Sequence, residues 1–364
     1  MQKKYEMLMR KCLSLAKKSC GSVSPNPLVG CVIFDDDFNI ISRGRHEKYG
    51  QNHAERNAIL NSPIDVRGKS LIVNLEPCCH QGKTPPCTDL IIESGIKRVI
   101  LGMTDPNPLV AGKGIKKLKE AGIEVITGVL KPECFELNKI FIKNKTENKP
   151  YITIKTASTL DGKIAGRTGK PEKITDEASW REVHKLRNYY DAVLTSSTTV
   201  INDNPRLTCR MRGGRNPVRI IFDKNLITPQ DSNVYNNDGT KVYIVTSENV
   251  SDERMKKYPE HVEIIKCSLK NEYINLNSAV RMLYDKGIMS ILVESGGTMN
   301  KSFIEERLAD ELIQFVAPKI MGDDTAISCV KGFNREYISK CNNLKAVSTK
   351  LLKGDIIIVC KFIK

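Results

Sequence analysis

Apolar residues at Tyr5, Leu8, Met9, Cys12, Leu15 and Ala16 recur at helical spacing, so the chain is expected to open on a helix with one buried face. Ser24-Pro25-Asn26-Pro27 predicts a turn, and the apolar run from Leu28 to Phe34 a strand behind it. Asn52 suits the cap of a helix that starts at His53 and continues from Ala54 to Leu60. Ser70 to Leu75 reads as a strand emptying straight into Glu76-Pro77-Cys78, and Thr88 to Ser94 as a helix just after Cys87. A strand is expected at Arg98 to Leu101, a helix at Ile115 to Ala121 and a further strand at Glu124 to Thr127. Strands alternating with helices argue a three-layer α/β domain.

Asn138 to Asn148 is polar and lysine-rich around a short apolar patch, and Pro150 begins a new apolar run. That change places a domain boundary there, giving a first domain of residues 1–146 and a second of 147–364. In the second, Tyr151 to Ala157 alternates as a strand and Asp176 to Asn188 predicts a helix carrying the lone Trp180. Strands follow at Ala192 to Ser196, Val218 to Phe222, Lys241 to Thr246 and Ile288 to Val293, with a helix from Leu276 to Lys286. The last strand ends in Glu294-Ser295-Gly296-Gly297-Thr298, which opens a helix to Glu306. A strand ending in glycines at a helix amino terminus is a phosphate cradle in general terms. Gly296-Gly297 nevertheless lacks the spacing of a dinucleotide-binding fingerprint.

Composition changes the picture in two ways. With 364 residues, 40% hydrophobic and 27% charged, each half is long enough for its own core, and no apolar run nears the roughly 20 residues of a membrane span. The start, Met1-Gln2-Lys3-Lys4-Tyr5-Glu6, leads into a charged amphipathic segment rather than a secretory signal. The expected location is therefore the cytoplasm, with the twelve cysteines reduced. The formal charge of +15 is diluted along both halves, as in Lys116-Lys117 and Lys143-Asn144-Lys145, with aromatics at only 6%. That is a solvated surface, not the clustered footprint of a nucleic-acid binder. The basic balance suits an anionic phosphate substrate.

Candidate chemistry lies in His53-Ala54-Glu55 and in Cys78 and Cys87, which together offer one imidazole, two thiolates and a carboxylate two residues from the imidazole. Three protein ligands leave the fourth position of a tetrahedral zinc open, as in catalytic sites. The metal makes hydroxide available near neutrality by acidifying its water. Glu55 can carry the proton to departing ammonia without binding the metal. A zinc deaminase pairs H-x-E with C-x-x-C, whereas here eight residues separate Cys78 from Cys87, and Cys79 is too close to Cys78 to be a comfortable second ligand.

The string Glu76-Pro77-Cys78-Cys79-His80-Gln81-Gly82-Lys83-Thr84-Pro85-Pro86-Cys87 instead resembles the riboflavin-biosynthesis branch of the deaminases. Ser158-Thr159-Leu160-Asp161-Gly162-Lys163-Ile164-Ala165 resembles the opening of that pathway's reductase domains, which share the dihydrofolate reductase fold. The stretch from Thr199 to Leu207 matches the same family's T-x-x-x-D-x-P-x-L string. Over nearly its whole length the chain is thus similar to the bifunctional riboflavin-biosynthesis deaminase/reductases.

The resemblance implies a cytidine-deaminase-like α/β/α domain followed by a dihydrofolate-reductase-like α/β domain, one zinc per chain, NADPH, phosphorylated pyrimidine substrates and a dimer or tetramer. It places Asn26, His46, Asp105 and Asn107 against the first substrate, and His80 and Lys83 against its ribose phosphate. Ala157, Thr199, Asp203, Gly296, Gly297, Thr298, Met299, Asn300, Lys301 and Ser302 are implied to bind NADPH. Arg187, Leu207, Arg210 and Glu294 are implied to face the second substrate, with Lys155 polarising or positioning it. Two other classes stay open on the residues alone. One is a zinc deaminase acting on a nucleic-acid base with an appended domain; the other is a structural zinc module, which needs a fourth ligand from Cys79 or His80.

Overall fold

Polar turns cut the apolar runs into strands that assemble as two main sheets, one in each of two units, Met1–Asn148 and Lys149–Lys364. The structure, a computed structural model, describes residues 1–81, 85–107 and 111–363. Among them no helix is long and apolar enough to cross a membrane.

The first unit runs α1 (Gln2–Lys17), β1 (Gly30–Phe34), β2 (Ile40–Arg45), α2 (Ala54–Leu60), β3 (Ser70–Leu75), α3 (Cys87–Glu93), β4 (Arg98–Met103), α4 (Lys113–Glu120), β5 (Glu124–Thr127), α5 (Lys131–Leu137) and α6 (Lys139–Glu147). Its five-stranded sheet has the order β2-β1-β3-β4-β5; β1 is antiparallel to both neighbours, while β3, β4 and β5 are parallel. Two glycines show which helices lie on which face. A Cβ on Gly30 would stand 2.1 Å from the Cys12 carbonyl oxygen of α1, and one on Gly44 would stand 2.0 Å from the Ala54 carbonyl oxygen of α2. Gly44 pairs with Cys31, the neighbour of Gly30, so the two glycines point to opposite faces. Helices therefore cover both sides of the sheet, and the strands β1 and β3 are buried at every position.

The second unit runs β6 (Tyr151–Thr159), β7 (Lys163–Ala165), α7 (Glu177–Tyr189), β8 (Ala192–Ser196), α8 (Ser197–Asp203), β9 (Val218–Phe222), β10 (Val242–Ser247), α9 (Asp252–Met255), β11 (Val262–Cys267), β12 (Leu269–Lys270), β13 (Tyr273–Ile274), α10 (Leu276–Asp285), β14 (Ser290–Val293), α11 (Gly297–Glu305), β15 (Glu311–Ala317), β16 (Ile327–Ser328), β17 (Leu344–Leu352) and β18 (Asp355–Phe362). Its nine-stranded sheet has the order β11-β10-β9-β8-β14-β6-β15-β18-β17, parallel up to β15 and antiparallel beyond. The chain starts at β6, moves outward through β8 to β11, returns as β14 between β8 and β6, and continues on the other side of β6 as β15. In open parallel sheets ligands bind beyond the carboxyl ends of strands where the winding reverses. Here those are the ends of β6, β8 and β14.

One expectation needs correction, and several elements go beyond those expected. Asn52 is not the helix cap: α2 begins at Ala54 with His53 in the capping position, and the Asn52 carbonyl is instead taken by His46. The polar, lysine-rich stretch from Asn138 to Asn148 is helical, because α6 fills Lys139–Glu147 and buries Phe141 together with Lys143 and Asn144. Strands β2, β7, β11, β12, β13, β15, β16, β17 and β18 go beyond the expected set; β17 is almost wholly exposed, so no alternation of burial marks it.

Candidate functional site

Helix α2 begins at the residue after His53, and α3 begins at Cys87, so the imidazole and one thiol both stand at helix amino termini. Such ends favour anionic ligands. Cys78 follows the end of β3, where Pro77 stops the strand. His53 Nδ1 lies 3.5 Å from Cys78 Sγ and 3.4 Å from Cys87 Sγ. The three donor atoms all fall within 4.8 Å of one another, and among the described residues this is the group able to hold a metal. Zinc–donor bonds of ~2.0–2.3 Å at tetrahedral angles put neighbouring donors ~3.5 Å apart. The donor set therefore fits zinc in both chemistry and spacing, and Cys79 and His80 stay outside it.

The Cys87 backbone N–H donates to Cys78 Sγ at 3.3 Å. A hydrogen bond from Cys87, with His53 beside it, lowers the Cys78 thiol pKa and favours the thiolate that a metal needs. Glu55 is 3% exposed, and its Oε2 has no hydrogen-bond partner within the protein. Burial pushes this carboxyl up to about 7. An orphaned carboxylate oxygen beside a donor triad is what a bound water or substrate must satisfy.

The predicted substrate residues gather unevenly around this centre. His46 is buried, and its ring packs edge-on to His53 with centroids 5.3 Å apart. The Asn52 carbonyl can only accept, so His46 Nδ1 carries the proton over the 3.0 Å between them. His46 Nε2 is then the acceptor for Asn26 Nδ2 at 3.1 Å, which assigns the Asn26 amide orientation and leaves its Oδ1 for another partner. Burial pushes the His46 pKa down, consistent with a neutral ring. Asp105 is half-buried, and its Oδ1 accepts the Asn107 N–H at 2.8 Å. His80 is exposed and close enough to Asp105 to act on its charge. Lys83 lies outside the described residues.

Sequence reasoning missed Glu76, which accepts N–H groups from Asp105, Gly112 and Ile115 at 3.0, 3.0 and 3.1 Å. Its partners are backbone amides far along the chain, so only its place before Pro77-Cys78 could have drawn attention to it.

In the second unit a charged cluster sits at the reversal point of the sheet. Arg187 Nε and Nη2 donate to the two oxygens of Glu294 at 2.8 and 3.0 Å, and Nη1 donates to the Thr208 carbonyl at 3.1 Å. Lys155 Nζ stands 3.6 Å from the same carboxylate and 5.5 Å from the Phe315 ring centre. Burial alone would raise the Glu294 carboxyl, but Arg187 and Lys155 outweigh it and hold it at about 2. Burial lowers the Lys155 pKa against the opposing pull of Glu294. Leu207 is buried with a positive φ of 53°, and Arg210 lies over Trp180 with its backbone N–H donating to His184 Nδ1.

The predicted cofactor residues divide by role. Thr199 joins Ser196 at 3.3 Å, and Ser196 is also bonded to Ser295 at 2.9 Å, so the ends of β8 and β14 are tied together. A Cβ on Gly297 would fall 2.3 Å from the Ser328 carbonyl, so only glycine lets the helix start approach that closely. Ala157 lies on β6 and Asp203 closes α8. Gly296 caps α11 with extended backbone, and Thr298 stands in its first turn. Met299 packs against the core, Asn300 donates to the Cys329 carbonyl at 2.8 Å, Lys301 pairs with Glu305, and Ser302 donates to the Thr298 carbonyl. The last four side chains are thus engaged within the protein, and the turn from Gly296 to Thr298 is what faces the crevice end of β14.

The fold and donors define a zinc-type deaminase domain joined to a parallel-sheet reductase-type domain. The cytidine and deoxycytidylate deaminase zinc-binding region matches residues 2–103, and the RibD C-terminal domain matches residues 150–358. The riboflavin biosynthesis protein RibD of Actinobacillus pleuropneumoniae is 40% identical over 353 residues, covering 96% of this chain and 93% of that protein. Its counterpart from Aquifex aeolicus is 43% identical over 321 residues, 88% of each chain. The crystal structure of a diaminohydroxyphosphoribosylaminopyrimidine deaminase/5-amino-6-(5-phosphoribosylamino)uracil reductase from Thermotoga maritima superposes with a TM-score of 0.89 at 40% identity, covering 100% of this chain and 99% of that one. The chain belongs to the RibD family of riboflavin biosynthesis proteins. It is an enzyme that combines a zinc-dependent deaminase region with an NADPH-dependent reductase region.

Proposed function

We propose that the first unit hydrolytically deaminates 2,5-diamino-6-ribosylamino-4(3H)-pyrimidinone 5′-phosphate at ring carbon 2, and that the second reduces the ribosyl group of the product to ribityl. The observation that carries the first assignment is the buried, unpartnered Glu55 Oε2 beside His53, Cys78 and Cys87. Zinc held by these three residues supplies a water acidified enough to ionise near neutrality. Glu55 takes the proton that this water gives up and returns it to the departing amine, so water is consumed and ammonia released. A carboxyl raised by burial to about 7 can do both near neutral pH. Asn26, oriented by neutral His46, offers its Oδ1 to the pyrimidine ring, and Asp105 and Asn107 meet the ring from the β4 side. His80 is assigned to the ribose phosphate.

In the second unit NADPH supplies the hydride received by carbon 1 of the ribosyl group. The first turn of α11 and the Thr199 end of α8 hold the cofactor, with Ala157 and Asp203 beside it. Glu294 holds Lys155 and Arg187 in place, and Lys155 polarises a substrate oxygen next to carbon 1. With three of its nitrogens committed, Arg187 serves chiefly as the partner of Glu294, and Arg210 is the guanidinium for the substrate phosphate. Leu207 lines the same substrate pocket.

The twelve cysteines, all free, support a cytoplasmic setting, and the exposed edge strand β17 supports assembly as a dimer or tetramer. The decisive assay supplies the pyrimidine phosphate and follows ammonia release and NADPH oxidation by the same protein. Ammonia should appear first and NADPH oxidation should depend on it. Deamination without any NADPH oxidation would refute the second assignment, and activity on a base within a polynucleotide would refute the first.

A further inference from the structure

Strand β3 lies between β1 and β4, and its end leads within three residues to Cys78, one of the three candidate metal donors. Its antiparallel pairing with β1 reaches only to Cys31 and Val73. Beyond that point the Asn74 side chain takes over from the ladder: Oδ1 accepts the Gly30 N–H at 2.8 Å and Nδ2 donates to the Leu28 carbonyl at 2.9 Å. Asn138 completes the clamp, accepting the Leu28 N–H at 2.8 Å and donating to the Leu28 carbonyl at 3.1 Å. The pinned backbone passes directly to Asn26 on one side, while on the other the Val29 carbonyl accepts the His46 N–H at 3.0 Å.

The same thing happens on the other edge. Pairing with β4 reaches Leu75 and Met103, followed by one bond from the Glu76 N–H to the Met103 carbonyl at 2.9 Å. From there the Glu76 carboxylate gathers the Asp105 and Gly112 N–H groups on Oε2 and the Ile115 N–H on Oε1. A Cβ on Gly114 would stand 2.4 Å from the Pro77 carbonyl oxygen, so glycine there lets α4 close onto the strand end. Asn74 is 0% exposed and Glu76 3% exposed, and the next alternate residue, Cys78, is the metal donor.

We propose that Asn74 and Glu76 are positioning residues for the deaminase substrate, setting the Asn26 loop and the Asp105 loop on either side of the metal from one strand end. This rests on the reading of Asn26 and Asp105 as substrate contacts. A carboxylate is the group that fits Glu76's place, because three converging donors need an acceptor at both oxygens. Glu76→Gln keeps the shape, but its N–H₂ must face either Ile115 or the Asp105 and Gly112 pair, so the three donors are no longer gathered together while the core stays filled. Asn74→Ser releases the Gly30 N–H and removes one of the two bonds on the Leu28 carbonyl.

The test uses the full-length zinc-loaded protein and compares Glu76→Gln, Asn74→Ser, Asn26→Ala and Asp105→Ala for zinc content, thermal midpoint, and KM and kcat of ammonia release. Misplacing recognition groups by about an ångström costs on the order of 100-fold in kcat/KM, and most of it should fall on KM, with zinc still at one per chain. A structural role alone would lower the thermal midpoint or the zinc content and leave the KM of the zinc-loaded fraction unchanged, which would overturn the proposal. Where Asn74→Ser fails to retain zinc, Asn138→Ser, which loosens only Leu28, carries the same expectation. If Asn26→Ala and Asp105→Ala also left KM unchanged, the substrate-contact reading would fall and the proposal with it. If those two raise KM and Glu76→Gln does not, only the positioning role is lost.

Discussion

Glu55 sits in surroundings that suit a proton carrier, being buried, unpartnered at Oε2 and two positions from a metal donor. Glu55→Gln retains shape and a hydrogen bond but cannot accept and return a proton. General acid–base groups contribute about 10²–10⁴-fold, so the variant should keep its zinc and lose deamination by about the upper figure. Zinc analysis beside an ammonia assay decides it; a rate within a few-fold of the parent excludes Glu55. Glu294 makes a second, independent case. Its carboxyl sits at about 2 in the folded protein against an ordinary value of 4.5. A depressed carboxyl lends stability that is fully present above the higher value and is lost as pH falls toward the lower one. Removing one partner of a buried ion pair costs about 3–5 kcal/mol, so Glu294→Gln should destabilise the second unit by that order at neutral pH. The gap to the parent should narrow between pH 4.5 and about 2. Denaturant titrations that show a pH-independent gap would contradict the charge assignment. Residues with distinctive chemistry, such as His53, Cys78 and Cys87, stand out in a sequence because few other patterns use them. Asn74, Glu76 and Asn138 do not, because their partners are backbone amides that only the fold brings near.

At the scale of elements, the metal centre depends on how closely α2 rides on β2. Gly44 makes that distance possible, with the Ala54 carbonyl 2.0 Å and the Ala58 nitrogen 2.4 Å from where a Cβ would go. Both obstacles are backbone, so Gly44→Ala must push the helix outward, and overpacking of this kind costs about 1–3 kcal/mol. Since His53 and Glu55 ride at the start of α2, the expected outcome is weakened zinc binding as well as a lower thermal midpoint. Unaltered zinc affinity in Gly44→Ala would show that α2 can move without carrying its first turn. Strands β3, β8 and β9 were legible because burial on both faces gives each an unbroken apolar stretch, Leu71-Ile72-Val73, Ala192-Val193-Leu194 and Ile220-Ile221-Phe222. Strand β2 escaped because Ser42, Arg43 and Arg45 break the apolar run, although Ser42 is satisfied by the Ala58 carbonyl at 2.6 Å. Helix α6 escaped because two of the residues it buries beside Phe141, Lys143 and Asn144, are polar.

For the whole molecule, each unit has its own buried core, and the residues proposed for each step fall within one unit. A chelator should therefore abolish ammonia release by the full chain while NADPH oxidation with the deaminated ribosylamino substrate continues. Loss of both activities together would show that the second unit also depends on metal. The zinc donors themselves are distant in sequence, with His53 separated from Cys78 by 25 positions and from Cys87 by 34. An ion held by all three ties the start of α2 to the start of α3 across β3, closing a loop that the unfolded chain must otherwise close unaided. Metal uptake is thereby part of the folding equilibrium of the first unit, and its stability rises with free zinc by mass action. A cell short of zinc would then hold chains whose second half is folded and whose first half is exposed to proteolysis, so metal supply would set how long the deaminase survives as well as how fast it turns over.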